Sequence, residues 1–122
     1  MIEIRKAVNA YLRSLYSNIF YMQAPDTAAY PYIVYTLEVY PDGEGGGIVD
    51  LEIDGWNLDL TGDTTVIENL MVLINSIDKE TLVTDKLSVT FFNENMIPLL
   101  DDSDKAIQRR KYMYTGNLIR KN

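Results

Sequence analysis

Three carboxylates recur at every second position near the middle of the chain, at Asp50, Glu52 and Asp54, with aliphatic residues between them. This alternation predicts a β-strand that carries the acids on one face and the aliphatic side chains on the other. Carboxylates are the ligands that calcium and magnesium prefer, and a close pair can act as general acid and base. Side chains two positions apart on a strand lie about 6–7 Å apart, so one ion would need further ligands. The sequence offers none, and we expect a solvated face or ion pairs with bases from another strand.

The bases that could pair with these acids come late in the chain. Residues 14–78 contain no Lys, Arg or His but eleven Asp and Glu, whereas residues 105–121 contain six Lys and Arg and no acid. If the late segment is a strand, Arg109 and Lys111 share one face and Arg110 takes the other. We therefore predict that Arg109 and Lys111 pair with the acidic strand, either within one subunit or between two copies of the chain.

Composition excludes several classes of function. The 122 residues suit one domain spanning residues 1–122, and the net charge of −7 argues against binding a phosphate backbone. The chain has no cysteine or histidine, which removes disulfides, zinc–thiolate sites and Ser-His triads. It also lacks an apolar run of membrane-spanning length. We expect no enzyme, no cofactor, no metal site and no membrane contact, and a cytoplasm as the compartment.

The glycine run at residues 45–47 invites comparison with phosphate-binding loops. Those loops lead from a strand into a helix, whereas this run leads into a predicted strand and follows an acid, Glu44. Residues 41–47 are instead predicted to form a flexible hairpin connection. Glu44 and Gly46 are candidate contacts with a partner, because such a tip can become ordered on binding.

Tyrosines are abundant around the predicted strands. Aromatic side chains on a sheet can stack nucleic-acid bases, but such sites also need a basic groove, and the charges nearby are acidic. We predict packing in the core and across strands, with some side chains at a subunit interface. The residues concerned are Tyr30, Tyr32, Tyr35, Tyr40, Tyr112 and Tyr114.

Periodicity places the elements that must position these residues. Apolar residues at spacings of three and four predict helices over residues 2–17 and 66–77. Alternation and β-branched or aromatic content predict strands at 20–22, 32–40, 48–54, 86–92 and 107–115, with a loop over 93–104. Together these predict an α+β fold with a mostly antiparallel four- to five-stranded sheet and two amphipathic helices on one face.

Two local features are also predicted. After Gly55 the large apolar residues Trp56 and Leu58 fall on the parity of the acids, which suggests a bulge or bend at the glycine. Before the second helix, Thr65 and Glu68 have the spacing of a capping box, with Asp63 and Thr64 as alternative caps.

The order of these features resembles a known family. An amphipathic helix is followed by a Tyr-Pro-Tyr-Ile-Val-Tyr strand at residues 30–35, an acidic strand that runs into Gly55-Trp56, a second amphipathic helix and a basic, aromatic last strand. This is similar to the tail-completion, or tail-terminator, proteins of long-tailed phages and prophages, over about residues 2–119. The acidic, glycine-rich loop at 41–47 departs from the family pattern.

The resemblance implies a structural protein of the virion rather than a catalyst. Such proteins form a ring, usually a hexamer, at the head-proximal end of the tail tube. The ring stops tube growth and provides the surface for joining the head. Its partners would be other copies of the chain, the major tail tube protein and a head–tail connector or stopper protein, and DNA would pass through without specific binding. The implied residues are interface residues.

Two other classes of function remain as alternatives. An acidic binding module could sequester a basic partner by mimicking the charge of DNA, and pull-down with a basic nucleic-acid-binding protein would reveal it. A metal enzyme based on carboxylates is the third class. A tight calcium or magnesium site dependent on Asp50 and Asp54 would reveal that class.

Overall fold

The computed structural model describes residues 2–100 and 106–121. These residues form two α-helices, one 3₁₀ turn and six β-strands. Within the described residues, no helix is long and apolar enough to cross a membrane. In chain order the elements are α1 (Ile2–Leu15), β1 (Ile19–Tyr21), β2 (Tyr32–Pro41), β3 (Gly47–Leu58), α2 (Thr65–Ile74) with a 3₁₀ turn (Asn75–Ile77), β4 (Thr81–Val83), β5 (Leu87–Leu100) and β6 (Ile107–Arg120).

All six strands form one sheet in the order β1-β2-β3-β6-β5-β4. The short strand β1 is parallel to β2, and every other pair of neighbours is antiparallel. The α+β class and the mostly antiparallel sheet are thus confirmed, and the strand number is six rather than four or five.

Both helices cover the same face of this sheet, as the amphipathic patterns predict. Each helix buries a stripe of aliphatic side chains against alternate residues of the strands. The opposite face carries no helix or strand within the described residues, and we call it the uncovered face. The core between helices and sheet contains Ile4, Val8 and Leu12 of α1, Ile67, Met71 and Ile74 of α2, and Ile33, Tyr35, Leu51, Ile53, Phe91 and Tyr114 of the sheet.

The bulge predicted at Gly55 is wrong, because β3 pairs with both neighbours in unbroken register from one end to the other. Gly55 faces the helices and is buried. A Cβ atom there would lie 2.5 Å from Met71 Sδ and 3.1 Å from Ile67 Cδ1, so the glycine lets α2 approach the sheet closely. Trp56 and Leu58 do not change faces. They continue the row of acids on the uncovered face.

The loop predicted at residues 93–104 is wrong over its first part. Residues 93–100 continue β5 and pair with β6, with a register shift between Asn93 and Asn95. The bulge in this sheet therefore lies on β5, where the sequence indicates a loop because of its asparagines and Pro98. Residues 101–104 of the predicted loop lie outside the described residues. Strand β4 has only three residues, too few to show a periodicity.

The predicted capping box before α2 does not form. The Asp63 carboxylate accepts hydrogen bonds from the backbone N–H of Thr65 at 2.9 Å and from its hydroxyl at 2.6 Å. Glu68 turns away to the guanidinium of Arg110. Asp63 thus accepts a hydrogen bond from one of the free N–H groups at the helix start. Glu68 forms an ion pair that links α2 to β6.

The β2–β3 connection is the predicted hairpin, and Asp42 organises its turn. The Asp42 carboxylate accepts hydrogen bonds from the N–H groups of Glu44 at 2.7 Å and Gly46 at 3.2 Å. The Asp42 N–H donates to the Gly46 carbonyl at 3.0 Å. Gly43 and Gly45 have positive φ values of 85° and 93°, a backbone conformation that favours glycine.

Candidate interaction surface

The uncovered face brings the predicted acids and bases together. Strand register places Asp54 directly opposite Lys111 and Glu52 opposite Met113. The ion pairs run diagonally: Arg109 Nη2 lies 3.2 Å from Asp54 Oδ1, and Lys111 Nζ lies 3.6 Å from Glu52 Oε2. The pairing predicted between these two strands therefore occurs within one subunit for both Glu52 and Asp54.

Arg110 takes the opposite face, as its parity predicts. Its Nε donates to Glu68 Oε1 at 2.7 Å, and its Nη1 donates to the Arg109 carbonyl at 3.0 Å. The Arg110 side chain is largely buried between α2 and β6. It is a structural link and is not part of the uncovered face.

A row of rings and a guanidinium crosses the uncovered face at one end. Arg109 lies over Trp56, with its Cζ 4.5 Å from the ring centroid. Trp56 is stacked against Tyr32 at 6.2 Å and 17°, and Phe20 meets Tyr32 edge-on at 6.3 Å. The row joins four neighbouring strands, β1, β2, β3 and β6. The contact with Trp56 positions the Arg109 guanidinium within reach of Asp54.

Below this row the strands and the segment after β1 enclose an open groove of about 330 Å³. Uncharged side chains of β2 and of the segment after β1 line one part of the groove, and the ion pairs between β3 and β6 line the other. Its charge is nearly balanced, because each acid in it lies beside a base. The residues that line the groove are Met22, Gln23, Ala24, Tyr32, Val34, Thr36, Glu52, Asp54, Trp56, Arg109 and Lys111.

Asp54 is the most enclosed acid of the ion pairs, with 14% of its side chain exposed. Burial raises its pKa above the ordinary value of 3.8, while the charges of Arg109 and Lys111 and the hydrogen bond from Arg109 lower it. Burial is the larger effect. The bases thus offset much of the desolvation of Asp54 without making it a stronger acid than usual.

Asp50 lacks an ion-pair partner within residues 2–100 and 106–121. It lies opposite Thr115 on β6 and opposite a second acid, Glu38, on β2. The hydroxyl of Tyr40 donates a short hydrogen bond to Glu38, and this contact raises the pKa of Tyr40. The uncovered face therefore has ion-paired charges near Trp56 and, toward the β2–β3 hairpin, two acids that have no ion pair among the described residues.

Glu44 and Gly46, the other two predicted contacts, lie in the hairpin turn and away from the ion pairs. A Cβ atom on Gly46 would lie 2.6 Å from the Leu118 carbonyl, and one on Gly45 would lie 2.6 Å from Arg120 Cδ. The turn packs against the end of β6. It lies beside Arg120 at the end of β6 and does not line the groove.

The described residues contain no group of three or more His, Cys, Asp or Glu side chains arranged to hold a metal ion. The strand spacing explains this, because Asp50, Glu52 and Asp54 follow one another along an extended backbone. Two of the three acids are also already engaged with bases. This arrangement favours the solvated, ion-paired strand face predicted from the sequence.

The tyrosines divide between core and surface. Tyr35, Tyr112 and Tyr114 are buried, and the Tyr114 hydroxyl donates to Asn75 Oδ1 at 2.7 Å. Tyr30 and Tyr40 are exposed. Sequence reasoning missed the role of Trp56 on the uncovered face. The signal for this role is the parity that Trp56 shares with the acids, which the bend predicted at Gly55 explains instead as a change of face.

Comparison with known proteins shows the fold but no family. No protein-family model and no curated protein matches the chain. Among solved structures, a chain from the virion of a native gene transfer agent particle is similar, with a TM-score of 0.73 and 12% sequence identity. The similarity covers 95% of this chain and 94% of that chain. The two proteins therefore share the whole α+β architecture.

Proposed function

We propose that this protein is a structural component of a phage or prophage virion and acts as a tail terminator. It would form a homo-oligomeric ring, a hexamer by resemblance, on the head-proximal end of the tail tube. The observation that carries the proposal is the shared fold with a chain of a gene transfer agent virion, which extends over almost the full length of both chains. The order of sequence features that resembles tail-terminator proteins points to the same class independently.

The surface chemistry supports a scaffold rather than a catalyst. The ion-paired residues of the uncovered face are bound to one another, and the chain has no histidine or cysteine. The free acids at the hairpin end would repel a DNA backbone and would let it pass without adhering. We propose that the protein has no enzymatic activity and that its partners are a tail tube protein and a head–tail connector.

Deletion of the gene from its phage or prophage tests the proposal directly. A tail terminator limits tube growth and permits joining, so the mutant should produce headless tails of irregular length together with filled heads. Plasmid-borne protein should restore uniform, joined particles. Normal tails on intact virions in the deletion strain would contradict the proposal.

A second candidate function, binding of a basic partner, is favoured by the adjacent acids Glu38 and Asp50. Like charges placed opposite each other on neighbouring strands destabilise a sheet, so a cationic partner would relieve their repulsion. Pull-down assays discriminate between the two functions. A ring-forming adaptor retains tail tubes, whereas a charge mimic retains a basic nucleic-acid-binding protein and releases it in high salt.

A further inference from the structure

The outer edge of β2 is open beyond its short pairing with β1. Ile33 N–H donates to the Asn18 carbonyl, and the Tyr35 carbonyl accepts from Met22 N–H, so odd-numbered residues of β2 direct their backbone groups outward. Leu37 and Val39 continue this parity. Their N–H and C=O groups have no hydrogen-bond partner within the described residues. Open edges of this kind readily accept another strand.

A groove runs beside this open edge on the helix-covered side of the sheet. It has a volume of about 260 Å³ and lies between the start of α1 and the end of β2. A strand added to β2 would place every second side chain into it. The groove is lined by Ile2, Arg5, Tyr21, Leu37 and Val39.

The other side of the sheet also has an edge with no strand beside it among the described residues, on β5 after its bulge. Lys121 N–H donates to the Lys86 carbonyl, so odd-numbered residues of β6 bond toward β5. Lys111, opposite Ile97, shares this parity. Met96, next to Ile97, therefore directs its backbone groups outward. Its side chain is 47% exposed and lies level with Tyr112, on the helix-covered side.

We propose that the partner for the β2 edge is the β5 edge of a second copy of this chain, with Met96 opposite Val39. The two strands run in opposite directions within one sheet, so neighbouring copies in a ring would meet antiparallel. Directly opposite residues must also share a face. Val39 and Met96 both lie on the helix-covered side, and Met96 would enter the groove beside β2. This proposal rests on the proposed ring and names its subunit contact.

The register gives a stagger that suits a closed ring. Within one chain Val39 is level with Phe91, and Met96 lies four paired positions further along β5, past the bulge. Each copy would be shifted along the strand direction by about 13 Å relative to its neighbour. The four strands β2, β3, β6 and β5 of one copy span about 19 Å across the sheet. The strands would then tilt by about 35°, within the range of closed barrels.

The backbone chemistry limits this contact to a short pairing. Met96 and Val39 can exchange two hydrogen bonds, and Leu37 N–H can donate to the Pro98 carbonyl opposite it. Pro98 has no N–H to return, and Pro41 has none at the end of β2. The contact is therefore expected to be concentration-dependent rather than permanent.

Disulfide trapping tests the register in a chain that has no cysteine of its own. Opposite residues of a bonded antiparallel pair have Cα atoms about 5.5 Å apart, within disulfide range. Mild oxidation of the Val39→Cys, Met96→Cys double variant should give a ladder of covalent oligomers on a denaturing gel. Mixing the two single variants should give dimers only. The matched control joins Met96→Cys with Val72→Cys on the exposed side of α2, and should cross-link at least tenfold less.

A proline variant gives a second, independent test. Val39→Pro removes an outward N–H and leaves the β2–β3 hydrogen bonds intact, although Val39 also packs against the core. The monomer should therefore stay folded with a small loss of thermal stability, while the oligomer dissociates at least tenfold more readily. Val83→Pro is the matched control, because Val83 lies on the exposed β4 edge. Light scattering and thermal unfolding measure both effects.

The outcomes separate this contact from the ring itself. If the native chain forms rings but the cysteine pair cross-links no better than its control, the edge contact is wrong and the ring stands. Cross-linking of Val39→Cys alone would also overturn it, because β2 would then pair with itself. Loss of tail-tube binding by Val39→Pro with rings intact would assign the edge to the tube protein instead. A native chain that stays monomeric at high concentration would overturn both proposals.

Discussion

Asp54 and Arg109 form an ion pair on the uncovered face although they are not opposite each other in the sheet. Arg109 lies opposite Trp56, packs over its ring and reaches diagonally to the Asp54 carboxylate at 3.2 Å. Lys111 repeats the diagonal toward Glu52. The bases of β6 thus neutralise two acids of β3 within the same subunit, whereas the third acid, Asp50, has no ion pair in the part of the chain that the structure describes.

Replacing Asp54 with Asn should change the free energy of unfolding by no more than about 1 kcal/mol at neutral pH. The charge of Asp54 is partly desolvated, and Arg109 is exposed enough to be solvated without it. A loss of more than about 3 kcal/mol in urea titrations would show instead that the pair is a major source of stability.

The same variant should alter the pH dependence of stability. Since folding raises the pKa of Asp54 above 3.8, its contribution to stability is fully present below that value and is lost as the pH rises through the raised, folded-state pKa. Asp54→Asn should therefore remove a fall in stability with increasing pH in this window. Thermal unfolding of both proteins between pH 3 and 7 measures the difference, and parallel curves would contradict the prediction.

Exchanging the charges of Glu52 and Lys111 tests whether their pair forms within one chain. Each single reversal, Glu52→Lys or Lys111→Glu, should lower stability by about 0.5–1 kcal/mol at low salt. The double variant should recover most of that loss in a single chain, because the diagonal contact is re-formed with reversed sign. Recovery only in mixtures of the two single variants would place the contact between subunits.

Gly55→Ala should destabilise the fold by about 1–3 kcal/mol, because the new methyl group meets Met71 Sδ and Ile67 Cδ1. The effect should be smaller in a Met71→Ala background, where the nearest atom has been removed. Urea denaturation of the four proteins in this cycle gives the coupling energy. Additive effects would show that α2 does not press on β3 at Gly55.

Asp63 should titrate below its ordinary value of 3.8, because the hydroxyl and the N–H of Thr65 donate to its carboxylate. A lowered pKa gives stability that is present above 3.8 and lost as the pH falls through the folded-state value. NMR titration of the carboxyl carbon measures this shift. Thr65→Val removes the hydroxyl donor and should move the midpoint upward, while Thr81→Val, which removes a hydroxyl that contacts Thr90, should leave Asp63 unchanged.

The sequence predicted those parts of the fold that depend on local pattern. Alternation at residues 49–53 and the helical stripes identify β3, α1 and α2, because each periodicity reflects one buried face. The continuation of β5 through Pro98 depends on pairing with β6, a long-range contact that no local window contains. The close packing at Gly55 is not predictable from local pattern for a similar reason, since Met71 and Ile67, the residues nearest to it, lie on a different element.

The candidate site was predictable as two sets of residues but not as particular pairs. The parity of residue numbers alone places Arg109 and Lys111 on one face of β6, and Asp50, Glu52 and Asp54 on one face of β3. The choice of partners depends on register, which sets Arg109 beside Trp56 and leaves Asp50 without an ion pair among the described residues. The register between two strands is set by the packing of the whole sheet, so it cannot be predicted from the charge pattern of a single strand.

Arg109→Lys should separate the contribution of ring stacking from that of charge. Lysine keeps the positive charge but loses the planar group that covers Trp56, so we expect a loss of about 0.5–1 kcal/mol. Trp56 is the single tryptophan of the chain, so its fluorescence reports this contact directly. The emission maximum should shift to the red as the ring becomes more exposed, whereas Lys111→Arg, the matched control, should leave it unchanged. An unshifted spectrum in Arg109→Lys would mean that the guanidinium does not shield the ring.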